Sequence, residues 1–161
     1  MLPGKVKGIG YNMKRSLGGR VVSLHINLAH KTPSLEVAEA NLVQDMGIEG
    51  DIHYSDRLNR RDFQVLLIDS DVLDDLQISY GAVKENITVQ GFEIFSLLPG
   101  QKLAVGNDVI LQISKICLPC SRMEDIRLGL EKDLIGKRGM LASVIHGGSI
   151  RIGDKITFAE M

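Results

Sequence analysis

Gln101-Lys-Leu-Ala-Val105, the pair Gly106-Asn107, and Asp108-Val-Ile-Leu-Gln-Ile-Ser-Lys-Ile116 read together as a β-hairpin. Two strand-like runs flank a glycine-asparagine turn, which supplies the positive φ that tight hairpin connections need. Working outward, the same signature recurs. Arg20–Asn27 alternates around Val22, Leu24 and Ile26, and Val37–Asp45 carries Ala38, Ala40 and Leu42 at period two. Phe63–Ile68 is a short, mostly apolar run expected of a buried strand. Val83–Gln90 reads as a strand with Ile87 and Val89 on one face, and Leu141–Ile145 and Lys155–Phe158 read as closing strands. Between them lie loops over 28–36 and 54–62, and turns at 46–53, Leu97–Gly100, Gly147-Gly148 and Gly153-Asp154.

Helix signals are few. Asp69 or Ser70 is expected to cap a short helix carrying Val72, Leu73 and Leu76, closed by Gly81. Ser121 and Glu124 have the spacing of a capping box, followed by Met123, Ile126, Leu130 and Leu134 at helical intervals up to Gly136, with Gly129 weakening the middle. The fold class this pattern implies is mainly β with a few helices, a barrel-like domain.

The chain has 161 residues, enough for one domain with a real core. Apolar residues make up 44% and charged residues 24%, ordinary values for a soluble protein. A formal net charge of −1 gives no global field for nucleic acid, and no apolar run approaches the ~20 residues of a membrane span. Residues 1–18 are expected to form a basic arm or an edge strand at Lys5–Ile9, lacking the apolar core of a secretory signal. With two cysteines there is no disulfide framework, and the expected location is cytoplasmic.

Both cysteines fall in Cys117-Leu-Pro-Cys120, directly after the hairpin. A cysteine at a helix N-terminus meets the positive end of the backbone dipole, which favours the thiolate. A zinc site would need more ligands, and His25, His30, His53 and His146 have no paired-ligand spacing. A dithiol redox pair, a single working Cys120, and two cysteines packed as small apolar groups all fit the motif. Elsewhere, His53 two residues after Asp51 is either an acid–base group or a loop histidine bonded to that carboxylate. Lys84, Asn86 and Thr88 share one face if 83–90 is a strand, and could hold an anion or face solvent. Lys137-Arg138 complements a helix C-terminus, and Arg57, Arg60 and Arg61 make a second basic cluster in a polar loop.

Taken in order, Gly47-Ile-Glu-Gly-Asp-Ile-His53, Gln64-Val-Leu-Leu-Ile-Asp69, Glu85-Asn-Ile-Thr88 with Gly91, Pro119-Cys-Ser-Arg-Met123, Lys137-Arg-Gly139 and the closing Gly147-Gly148 and Gly153-Asp154 resemble the MOSC domain, the module named after the C-terminal part of molybdenum cofactor sulfurases. The resemblance covers residues 19–158, so 19–161 is expected to be one MOSC domain. It implies a β-barrel-like fold and a functional cysteine at Cys120. It further implies sulfur carriage as a Cys120 persulfide, taken from a cysteine desulfurase that holds pyridoxal phosphate on its own chain, or attachment of the molybdenum cofactor (molybdopterin) through Cys120 as metal ligand. Some relatives use the bound cofactor to reduce N-hydroxylated compounds. Lys84 and Arg138 match positions that are basic in the family, with Asn86, Thr88, Asp51, His53 and Cys117 expected around the same pocket. The chain's length leaves no room for a desulfurase domain, so a stand-alone module working with a desulfurase or molybdoenzyme partner is expected, with neither nucleic acid nor membrane as partner.

Overall fold

A computed structural model describes residues 18–159. The expected basic arm therefore lies outside the described residues, apart from Gly18. The strands are β1 (Gly19–Ile26), β2 (Leu35–Glu36), β3 (Glu39–Val43), β4 (Gly47–Ile48), β5 (Val65–Asp69), β6 (Ile87–Gln90), β7 (Lys102–Val105), β8 (Val109–Ile116), β9 (Met140–His146), β10 (Gly148–Arg151) and β11 (Lys155–Phe158). The helices are α1 (Ser70–Asp75), α2 (Met123–Ile126) and α3 (Leu130–Asp133), with 3-10 turns at Leu58–Phe63 and Ile94–Ser96.

Seven strands close into a barrel in the order β11, β7, β8, β9, β5, β6, β1, and β1 returns to β11 through Gly19↔Ile156 and Arg20↔Lys155. The β7–β8 hairpin is in the expected register, Val105 opposite Val109. Pairing is antiparallel except for β5 with β6, where α1 and the following turn provide the crossover. A small sheet β10-β3-β4 adds Ala40, Leu42, Ile48 and Ile150 to the barrel core. The continuous apolar run of β5 has a plain cause. Val65 and Leu67 face the barrel core, while Ile68 faces a second cluster with Val72, Leu73, Val83, Met123, Leu130 and Leu134. Covered on both sides at these positions, the strand carries apolar residues on both faces.

Five expectations are corrected. The strand expected from Val83 begins only at Ile87, because Lys84 takes φ 69° and breaks the period-two alternation. The helix expected after Ser121 is two single turns, broken where Gly129 takes φ 85°. Ser121 makes no cap; Glu124 instead accepts the N–H groups of Gly129 and Glu131, each at 2.9 Å, and so caps α3. Gly148, expected in a turn, opens β10 against Leu42. Asp69 occupies the position before α1 but does not cap it, since its carboxylate accepts from Ile94 N–H (2.8 Å) and Phe95 N–H (3.1 Å).

Candidate functional site

A cleft of about 400 Å³ opens on the outside of the barrel where β5, β8 and β9 meet the turn at residues 83–86. Its size is that of a small-molecule site. Leu66 and Leu141 form an apolar floor, and Phe63 and Ile116 add apolar wall. Around them stand four cations, Arg60, Lys84, Lys115 and Arg138, together with His53, Asn86, Cys117 and Leu118. Among the described residues no carboxylate lines the cleft, so the charge there is unopposed at the cleft surface and an anion is the ligand it suits.

One wall is built on buried hydrogen bonds. Asn86 is 2% exposed. Its Oδ1 accepts from Leu66 N–H (2.9 Å), and its Nδ2 donates to the His25 carbonyl (3.1 Å) and to Asp51 Oδ2 (2.9 Å). Asp51 Oδ2 also accepts from Asn27 N–H (2.9 Å), and Oδ1 accepts from His53 N–H (2.8 Å) and lies 3.0 Å from His53 Nδ1. Burial alone would push the Asp51 carboxyl up, but the bonds from the His53 ring and from the Asn27 and His53 N–H groups outweigh it and hold the group below its ordinary range. Asp51 and Asn86 are therefore framework. They aim His53 into the cleft, and their own polar atoms are already bonded. The bond between Asp51 and His53 is present, and His53 also lines the cleft.

Thr88 is fully buried, with Oγ1 3.4 Å from Glu85 Oε2, and does not line the cleft. The expected face of Lys84, Asn86 and Thr88 does not form, because its alternation requires extended backbone at Lys84. What the left-handed turn there does is swing the Lys84 ammonium across to the Thr32 carbonyl at the cleft edge.

The other wall is the cysteine loop. Cys117 N–H donates to the Gly139 carbonyl (2.9 Å). Arg138 Nη1 donates to Cys117 Sγ (3.1 Å) and to the Leu118 carbonyl (3.1 Å), and Nη2 donates to the Val83 carbonyl (3.0 Å). One guanidinium thus ties the loop to the turn beside Lys84. Gly139 makes this placement achievable: it has φ 114°, and a Cβ there would lie 2.1 Å from the Leu67 carbonyl oxygen. Burial pushes the Cys117 thiol up, and the Arg138 guanidinium opposes that shift. Cys120 is not part of this wall. It is exposed, free of any disulfide, and outside the cleft lining. Leu118 borders both the cleft and a shallow depression with Pro119, Glu124, Glu131, Lys132 and Ile135, so the loop is a partition. With α2 only four residues long, no extended helix dipole acts on Cys120.

The structure brings together Lys84, Arg138, His53, Asn86 and Cys117, leaves Thr88 and Asp51 buried, and leaves Cys120 exposed outside the cleft lining. Sequence reasoning missed Lys115 and left Arg60 in a basic cluster of a polar loop, apart from the site. Lys115 follows a β8 irregularity between Ile113 and Lys115 and lies with Nζ 3.8 Å from the Phe63 ring centroid. Among the described residues no three His, Cys, Asp or Glu side chains converge on a metal position. A bare ion has no protein cage here. A thiol, a cationic rim and an apolar floor do fit an anionic, phosphate-bearing organic group that carries a thiophilic metal.

Comparisons agree with this architecture. No curated protein matches the chain in sequence. Among solved structures, the YuaD protein from Bacillus subtilis superimposes with a TM-score of 0.69 at 16% identity, over 86% of this chain and 93% of that one. YiiM from Geobacillus stearothermophilus gives 0.70 at 19%, over 88% and 75%, and YiiM from Escherichia coli 0.65 at 17%, over 88% and 70%. At such identities these likenesses speak for the fold. The MOSC domain model matches residues 49–157, a span that runs from the Asp51–His53 turn through both walls of the cleft to the last barrel strand, and on that match the chain belongs to the MOSC domain family.

Proposed function

We propose that this protein is a molybdenum-cofactor-associated sulfur carrier. It accepts sulfur as a persulfide on Cys120 from a pyridoxal-phosphate-dependent cysteine desulfurase, and delivers it to the cofactor, or to a molybdoenzyme holding it, in the cytoplasm. The observation that carries the reading is the cysteine loop: Cys117 and Leu118 form a wall of a cationic cleft, and the same loop leaves a second thiol, Cys120, exposed outside the cleft lining. Lys84, Lys115, Arg60 and Arg138 would hold the phosphate end of the pterin, and Leu66, Leu141 and Phe63 would pack its rings. When bound, the cofactor supplies a thiophilic molybdenum centre as sulfur acceptor. A carrier needs its loading thiol reachable by a donor protein, which the exposure of Cys120 satisfies.

The test uses wild type and Cys120→Ser, purified anaerobically from a cofactor-producing host and incubated with a cysteine desulfurase and cysteine. Sulfane sulfur and molybdenum are then measured per chain. The carrier reading expects about one sulfane sulfur per wild-type chain and little on the variant. Equal sulfur on both proteins would defeat it. Stoichiometric molybdenum lost with Cys120, together with turnover of N-hydroxylated compounds, would replace it with a cofactor-dependent reductase.

A further inference from the structure

The two thiols have different surroundings. Cys120 is exposed and lies outside the cleft lining. Cys117 lines the cleft, with its N–H fixed to the Gly139 carbonyl and its Sγ 3.1 Å from Arg138 Nη1. A persulfide formed on Cys120 would therefore stand outside the compartment whose four cations would gather an anionic acceptor. Only two residues separate the cysteines, and both are free.

We propose that the thiols work in sequence, Cys120 as the loading site and Cys117 as the delivery site, so that sulfur passes from an exposed thiol outside the cleft lining to one inside the cleft. This deepens the sulfur-carrier reading and rests on it. In the transfer, the Cys117 thiolate attacks the outer sulfur of the Cys120 persulfide. A new sulfur–sulfur bond forms at Cys117 as the one at Cys120 breaks, and Cys120 leaves as thiolate. Cys120 takes up the proton that Cys117 gives up. One thiol and one persulfide are consumed and one of each is produced, so no oxidant or reductant is needed. The guanidinium that donates to Cys117 Sγ is in place to donate to a persulfide anion there, a charge-assisted bond with no counterpart among the Cys120 contacts. The direction of transfer follows from that difference.

The experiment is a pulse of inorganic polysulfide on the intact chain. Timed alkylation follows, then fragment-ion mass spectrometry of the tryptic peptide Ile116–Arg122, which contains both cysteines. The expected result is label on Cys120 at the earliest time, with Cys117 label rising as Cys120 label falls and ending at least equal to it. Cys117→Ser should hold its label on Cys120, and Cys120→Ser should load Cys117 at least about tenfold more slowly than wild type loads Cys120. Label that stays on Cys120 in wild type overturns the relay. So does release of sulfide with a Cys117–Cys120 disulfide, which would mean attack on the inner sulfur. Label on neither cysteine overturns the carrier reading itself, a result distinct from failure of the relay.

Discussion

Replacing Asp69 by Asn should remove a pH dependence that can be worked out from the fold. The Asp69 carboxyl sits at the end of β5, 6% exposed, and accepts the N–H groups of Ile94 and Phe95. Burial pushes it up to about 6 from 3.8; the two N–H bonds oppose the shift, and the charges of Glu93 and Asp71 add to it. The sign follows from proton counts. Between pH 3.8 and 6 the folded chain holds a proton on Asp69 that the unfolded chain has lost, so stability rises on acidification through this window and is lost as pH climbs through 6. Integrating these two values between pH 7.0 and 4.5 gives about 2 kcal/mol. The assay is equilibrium urea unfolding of wild type and Asp69→Asn at both pH values. Wild type should gain about 2 kcal/mol relative to the variant on going to pH 4.5, a midpoint shift of roughly 1 M for an ordinary denaturant slope. The variant loses one acceptor for the Ile94–Phe95 pair, an offset that applies at both pH values and cancels in the difference. A wild type–variant gap that is the same at pH 4.5 and 7.0 would refute the reasoning.

Asp51→Asn should act in the opposite sense. It turns an amide N–H₂ toward either the donors at Oδ2 or those at Oδ1, and loses at least two charge-assisted bonds, for about 3 kcal/mol at pH 7 by urea unfolding. Because the folded Asp51 carboxyl titrates low, that deficit should persist down to pH 3.8 and shrink as pH falls further. Gly139→Ala should cost about 3 kcal/mol or more, since φ 114° and a contact of 2.1 Å with the Leu67 carbonyl force the backbone to move. That movement should also release the Cys117 N–H, seen as faster amide hydrogen exchange at that residue.

Much of the barrel was legible because its strands carry their own signal. β1, β5, the β7–β8 hairpin, β9 and β11 each show alternation or an unbroken apolar run, and each overlaps the range read from sequence. Closure of β1 on β11 and the parallel β5–β6 pair were not legible, because they join residues far apart in the chain. Failures of local reading had distant causes. Asp69 looked like a cap until partners at 94 and 95 claimed its carboxylate. Glu124 looked like half of a capping box but serves the next turn, past the left-handed Gly129. At the site, Lys84, Arg138, His53 and Cys117 came from the family resemblance, and the cleft collects them. The same resemblance placed Thr88 with them, and the turn at Lys84 removed it. Arg60 and Lys115 needed the register of β8 against β9 and the 3-10 turn, information that no single segment holds.

The two walls of the cleft differ in what holds them, and that difference bears on how the site can work. Asn86 is locked to Leu66, His25 and Asp51 by buried bonds on barrel strands, so this wall moves only if the barrel does. The cysteine loop has no strand partner beyond Ile116. It is held by the Cys117 N–H at Gly139 and by three donations from Arg138, two of them to the loop and one across the cleft to Val83. Its following turns rest on the smaller apolar cluster through Met123, Leu130 and Leu134. Local opening follows the weakest set of contacts, so the loop wall yields before the barrel wall. An anion that draws the Arg138 guanidinium toward itself would loosen Cys117 and Leu118 together, because the same Nη1 serves both. Occupancy of the cleft by an anion would thereby be coupled to the freedom of the Cys117 thiol through the one side chain that restrains it.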